Sequence, residues 1–181
     1  MRNDLRSALR LAAALVWLGV IVLARGWSGS PVRLLDPLAG LVASLTQTVL
    51  HGIGIAAERA GTVLYVPGAF AYDINIGCTG LLPAAVLAVA ILASPATWGA
   101  KQRGLVMGVP LVLAVNLLRL VHLFYLGIHA PRYFVLAHSL LWEGTIVVFT
   151  FVTWLLWMRW AARREGQRGR LASPLSSWMS G

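Results

Sequence analysis

Apolar residues in this chain come in long blocks separated by short polar or basic stretches. The first block, Leu11 to Ala24, follows Arg2, Arg6 and Arg10 and is broken only by Gly19. Its layout is that of a signal peptide, but Arg25-Gly26-Trp27 stands where a small-x-small cleavage site would be. Residues 8–25 therefore read as a retained first helix. From Leu38 to Glu58 the pattern is amphipathic: Leu38, Leu41, Val42, Leu45, Val49 and Ile53 mark one helical face, and Ser44, Gln47, Thr48 and His51 mark another. That suits a helix at the interface or against a bundle. A spanning helix stays open as an alternative, because no charge lies between Asp36 and Glu58.

Residues 62–76 change period. Val66-Pro67-Gly68-Ala69 fits a type II turn, and Phe70, Tyr72, Ile74 and Ile76 then alternate with Ala71, Asp73 and Asn75. Period-two alternation predicts a β-hairpin outside the membrane, leading into Cys78. Three further apolar blocks follow: Thr79 to about Ala96 with Pro83 in its first turn, Gly104 to about Phe124, and Val135 to Trp157. A basic loop at 98–103 and a loop at 125–134 are expected between them. Residues 161–181 read as a basic, disordered cytoplasmic tail after a single transmembrane domain over 1–160. The expected fold is an all-α membrane protein: a four-helix transmembrane bundle with an extracytoplasmic amphipathic helix and a short β-hairpin.

Composition and charge sharpen this picture. Hydrophobic residues make up 59% of the 181 and charged residues 12%, too few charges for an ordinary soluble domain. The net charge of +9 lies mostly beside the apolar blocks, and no basic stripe interleaves with aromatics, so nucleic acid is not an expected partner. The positive-inside rule puts both termini and the Lys101/Arg103 segment in the cytoplasm. Residues 26–78 and 125–134 then face outward, in a multi-pass protein of the cell (inner) membrane. That topology brings Cys78, Arg119 and His138 towards one outer face.

Candidate chemistry follows from that placement. Cys78 is the single cysteine, so no internal disulfide, CxxC pair or cysteine zinc site is available. A buried small hydrophobe is its ordinary role, but a place before a helix N-terminus, between Gly77 and Gly80, favours a reactive thiolate. Arg119 follows an uncharged stretch, and an arginine within a span costs at least ~2.5 kcal/mol on insertion scales. Snorkelling is the plain alternative. Asn116, Arg119 and His122 recur every three residues, which puts them on one helix face. His51 and His129 read as solvated; His122 is a rival base to His138. Glu143, five residues after His138, falls on roughly the opposite face of an α-helix and reads as a substrate contact or an arginine partner. A thiolate nucleophile, a histidine acid/base and an arginine for the oxyanion make a coherent acyl-transfer set. No HExxH motif suggests a metal, and no cofactor is expected. The competing class is a non-enzymatic multi-pass protein, with haem between His122 and His138 or a place as a transporter subunit; a Soret band would mark the former.

Cys78-Thr79-Gly80-Leu81, Asn116-Leu117-Leu118-Arg119-Leu120 and His138 at the head of the last helix, in that order, resemble the exosortase/archaeosortase family of membrane transpeptidases. The resemblance covers about residues 38–158 and looks more like the bacterial branch, in a shorter form. It implies a cysteine-type transpeptidase or protease. The substrates it implies are proteins that end in a short motif, a transmembrane helix and a basic tail, cleaved and passed to an acceptor. Cys78 would be the nucleophile, Arg119 the catalytic arginine and His138 the general acid/base. Asn75, Asn116, His122 and Glu143 are the candidate substrate-binding residues, and membrane lipids are the remaining expected partner.

Overall fold

The computed structural model describes residues 36–178, so the expected first helix (8–25) lies outside the described residues. Helix α1, Asp36–Gly52, realises the amphipathic segment but ends six residues earlier than the pattern suggests. Its stop is a glycine cap. Gly54 takes φ 85°, and the amides of Gly54 and Ile55 donate to the carbonyls of His51 and Leu50 at 3.0 and 2.9 Å. The packed face also differs from the expected one. Ala39, Ala43, Thr46 and Leu50 are buried, while Leu41, Leu45, Val49 and Ile53 point outward. Small side chains allow close approach to the bundle, and the large apolar stripe is left for an apolar exterior. Gln47 and His51 both bond the Ala57 carbonyl, at 2.9 and 2.8 Å, fixing the exit from α1.

The hairpin forms as expected, with one more strand than the alternation reveals. Strands β1 (Glu58–Ala60), β2 (Val63–Val66) and β3 (Phe70–Asp73) make an antiparallel sheet in the order β1-β2-β3. Val66 pairs with Phe70 and Leu64 with Tyr72. The turn between β2 and β3 closes with the Ala69 amide on the Val66 carbonyl at 3.0 Å and Gly68 at φ 72°. Phe70 anchors the sheet: a Cβ on Gly127 would come 2.3 Å from its ring, so only glycine lets the ring seat there.

Helix α2 covers Leu81–Ala93, 13 residues or about 20 Å. That is short of the ~30 Å hydrocarbon thickness of a bilayer, so α2 is shorter than the expected second span. Its end is set by Ser94, whose hydroxyl donates to the Ala90 carbonyl at 2.7 Å, and by Pro95 after it. Helix α3 runs Trp98–His129, and the expected basic loop at 98–103 is its first turns. The reason is local: the Lys101 ammonium donates to the Leu92 carbonyl at 2.7 Å, at the C-terminal end of α2, where a cation is favoured. The expected loop at 125–134 is likewise mostly helical. After Ala130 the chain enters a 3-10 turn (Pro131–Tyr133), one α-turn (Phe134–Leu136), a π-helical segment (Ala137–Trp142) and helix α4, Glu143–Trp178.

Two helical stretches, Trp98–His129 and Pro131–Arg164, are long and apolar enough to cross a membrane. Only 39% and 17% of their apolar windows are buried. The core helix of a soluble protein would be mostly buried; here Val106, Met107, Leu140 and Val148 stand outside. The four-helix expectation thus resolves into two long apolar helices, the shorter α2 packed on both, and an N-terminal segment outside the described residues. Two apolar clusters hold them: one of Ala84, Leu87, Ile91 and Val112, the other built around Leu50, Leu64, Ile74, Leu120 and Phe124 and including Cys78.

Candidate active site

Cys78 stands where the sheet hands over to the bundle. Ile74 is fully buried beneath the sheet, and Asn75 then caps a 3-10 turn, Ile76–Cys78, by accepting from the Gly77 amide at 2.9 Å. Thr79 closes the other side of that turn, its hydroxyl donating to the Ile76 carbonyl at 2.7 Å. Cys78 is therefore in a turn of its own and not in the first turn of α2. Gly80 separates the two at φ 75°, so the helix dipole acts on the sulfur from further away than the sequence suggests.

What meets the thiol instead is a tyrosine. The Tyr72 hydroxyl lies 3.4 Å from Cys78 Sγ. On the backbone side, Asn116 Nδ2 donates to the Cys78 carbonyl at 2.8 Å. A Cβ on Gly80 would come 2.7 Å from Asn116 Cγ, so glycine is needed there for two reasons: the left-handed conformation and the room for Asn116. Cys78 is 5% exposed and Asn116 1%.

Arg119 is one turn of α3 beyond Asn116 and is also buried, at 7% exposure, which is not the geometry of a snorkelling side chain. Its Nε and the Asn116 Oδ1 are buried and have no hydrogen-bond partner among the described residues. Buried polar groups are nearly always bonded, so these two atoms, on adjacent turns of one helix beside Cys78, stand out. The guanidinium lies within electrostatic range of both Tyr72 and His138.

His138 opens the π-helical segment, half-buried, with Tyr72 edge-on at 6.3 Å and Phe134 stacked at 5.9 Å between ring centroids. Tyr72 thus touches both the thiol and the imidazole. Its phenol is pushed well above the ordinary range, chiefly by burial and next by the neighbouring Cys78, with Arg119 opposing. The π-segment changes the reading of Glu143. Bonding from i to i+5 widens each turn and brings residues five apart onto nearer faces than an α-helix would. Glu143, exposed at the end of that segment, lies within electrostatic range of His138.

The expected stripe on α3 splits. At about 100° per residue, His122 has turned away from Asn116, and it is exposed, accepting at Nδ1 from Trp142 Nε1 at 2.9 Å. The structure therefore gathers Cys78, Tyr72, Asn116, Arg119 and His138, with Asn75 supporting the cysteine turn, and leaves His122 outside the group. Tyr72 is the residue that the alternation over 70–76 marks only as part of an apolar face. Its signal is a polar-tipped side chain on the buried side of the strand leading into the cysteine. Beside the group, an almost wholly apolar groove of about 860 Å³ follows Leu126, Tyr133, Ala137, Leu140, Gly144 and Val148.

A lone thiol seated against a tyrosine thus lies near a buried arginine and a half-buried histidine on separate helical segments. The transmembrane exosortase (Exosortase_EpsH) family matches residues 2–158, and the chain belongs to that family. Archaeosortase A of Haloferax volcanii is similar to it, 33% identical over 87 residues. That match covers 43% of this chain and only 29% of the archaeal protein's length. No solved structure matches the chain.

Proposed function

We propose that this protein is a membrane-embedded cysteine transpeptidase or protease that cleaves C-terminal sorting signals at the extracytoplasmic face and passes the product to an acceptor. Cys78 Sγ attacks the scissile carbonyl and Arg119 stabilises the oxyanion. As the C–N bond breaks, His138 gives its proton to the leaving amine, and a thioester remains. The acceptor nucleophile then loses its proton to His138 and attacks the thioester, and the thiolate is released. Asn116 and Asn75 hold the cysteine turn, and Glu143 and His122 lie further out, available to the substrate. The apolar groove along Leu126, Ala137, Leu140, Gly144 and Val148 would take a substrate's transmembrane helix. Charge bias supports a topology with both termini in the cytoplasm.

The observation that carries this reading is the convergence of the single thiol, a buried arginine and a half-buried histidine around one tyrosine. Family membership supports the reaction class. The test is processing of a co-expressed protein ending in a candidate motif, an apolar helix and Arg residues. Cys78→Ala is expected to abolish cleavage while the protein stays in the membrane at wild-type level. Full cleavage by that variant would end the proposal.

A further inference from the structure

We propose that Tyr72 is a positioning residue for the nucleophile: its hydroxyl donates a hydrogen bond to the Cys78 thiolate and fixes where the sulfur sits. The proposal deepens the cysteine transpeptidase reading and rests on it for its catalytic meaning. Its geometry stands on several contacts. The hydroxyl is 3.4 Å from Sγ. The same ring is fixed from two other sides, edge-on to Phe134 at 5.5 Å and stacked on Phe70 at 6.4 Å between centroids. It is also edge-on to His138 at 6.3 Å. Opposite Leu64 in the β2–β3 register, Tyr72 cannot slide along the strand without moving a fully buried leucine.

Chemistry decides the direction of the bond. A thiolate only accepts, and a phenol can donate, so once the thiol has lost its proton Tyr72 is the donor. Burial, and then the negative sulfur, make the phenol harder to ionise, so it keeps its proton when the thiol gives up its own. A rigid ring with one polar tip suits this role, because it holds a hydroxyl against the sulfur at little cost in side-chain freedom. The backbone is held from the other side, through Asn116 on the Cys78 carbonyl. The nucleophile is then fixed at both ends, with the carbonyl tied to α3 and the sulfur tied to the sheet.

The test needs no substrate. Cys78 is the single cysteine of the chain, so alkylation by iodoacetamide in detergent reports on one site, with Cys78→Ala as the blank. Tyr72→Phe keeps the ring and removes the hydroxyl; Tyr72→Leu removes both. Losing one hydrogen bond to a charged group is expected to move the pH midpoint of alkylation up by about one unit in Tyr72→Phe, or about tenfold less reactive thiolate at a fixed lower pH. A ring that only fills space would leave the Phe profile on the wild-type curve and shift only Leu. An unchanged or lowered midpoint in Tyr72→Phe overturns the proposal, and so does a wild-type thiol that iodoacetamide fails to alkylate at any pH. These outcomes are separate from the cleavage reading: a shifted midpoint together with a cleavage-competent Cys78→Ala would leave the hydrogen bond standing and remove the transpeptidase.

Discussion

The two apolar clusters of this bundle differ in how completely their polar groups are paired. Around α2, the first half of α3 and the middle of α4, polar side chains find partners. Ser94 donates to Ala90 and accepts from Trp154 at 3.1 Å; Thr150 donates to Ile146; Trp157 donates to the Ala100 carbonyl at 3.0 Å. Around the sheet, α1 and the second half of α3, Gln47, His51 and Asn116 Nδ2 are bonded as well, but Asn116 Oδ1 and Arg119 Nε have no partner among the described residues. Leaving such a group unpaired costs about 1–3 kcal/mol, more when it is charged. The two ends differ by those two atoms, and on the proposed function they divide the labour. One end holds the helices together, and on the proposed function the other would also offer Arg119 Nε and Asn116 Oδ1 to the substrate.

Arg119 is where that contrast can be broken most sharply. Removing a charge from an apolar helix does not hinder insertion, so Arg119→Ala is expected to reach the membrane normally and to lose about 10²–10³ in processing, as when an oxyanion donor is deleted. Arg119→Lys keeps the charge without the planar fork and is expected to stay severely impaired. Cleavage per unit of membrane-localised enzyme is the measurement. Near-equal rates for Arg and Lys would make the buried guanidinium a structural group and erase the difference between the two ends.

The next effect concerns the two rival histidines. His138→Ala is expected to lose about 10²-fold, typical of a general acid/base, while His122→Ala keeps most of its activity because its ring faces Trp142. The same assay ranks them, and the opposite order would move the base to α3.

Glycines allow both ends to be probed with one methyl group. Gly80→Ala adds about 1–2 kcal/mol of left-handed strain and drives a Cβ against Asn116. It should lower processing about tenfold, because the displaced Asn116 carries the Cys78 carbonyl. Gly104→Ala drives a Cβ to 2.3 Å from Trp157 Nε1. It should lower the thermal midpoint while sparing the activity of the folded enzyme. Equal losses of activity from both would mean that the ends are not independent.

Much of this arrangement is legible in the sequence, and the parts that are not share a cause. Period two over 70–76 gives away the hairpin because each residue there reports one face. β1 does not show, because three exposed residues, Glu58–Ala60, carry no alternation. Lys101 and Arg103 read as a loop because charge ordinarily interrupts an apolar helix, whereas Lys101 caps its neighbour. The short α2 and the stripe that splits at His122 depend on which neighbour each side chain meets, and no single-chain pattern encodes that. The π-segment has no compositional signature at all, yet it decides whether Glu143 lies near His138. Cys78, Arg119 and His138 can be singled out by residue type and order; Tyr72 cannot, since its role exists only once the strand lies beside the cysteine turn.

The smallest expected effect tests the satisfied end on its own terms. In Trp154→Phe the indole N–H is lost, but Ser94 Oγ still donates to Ala90. A hydroxyl with a spare lone pair is only mildly short of a partner, so the cost should be about 1 kcal/mol of stability. Ser94→Ala is the harsher change, because it leaves a half-buried indole N–H with nothing to donate to. The double variant removes both partners and should recover part of that loss, so the two effects should not add. Thermal unfolding in detergent measures all three, and processing per folded molecule should stay at the wild-type level throughout. A fall in processing from either single variant would show that strain at this end reaches Cys78, and that the apparent division of labour is one coupled unit.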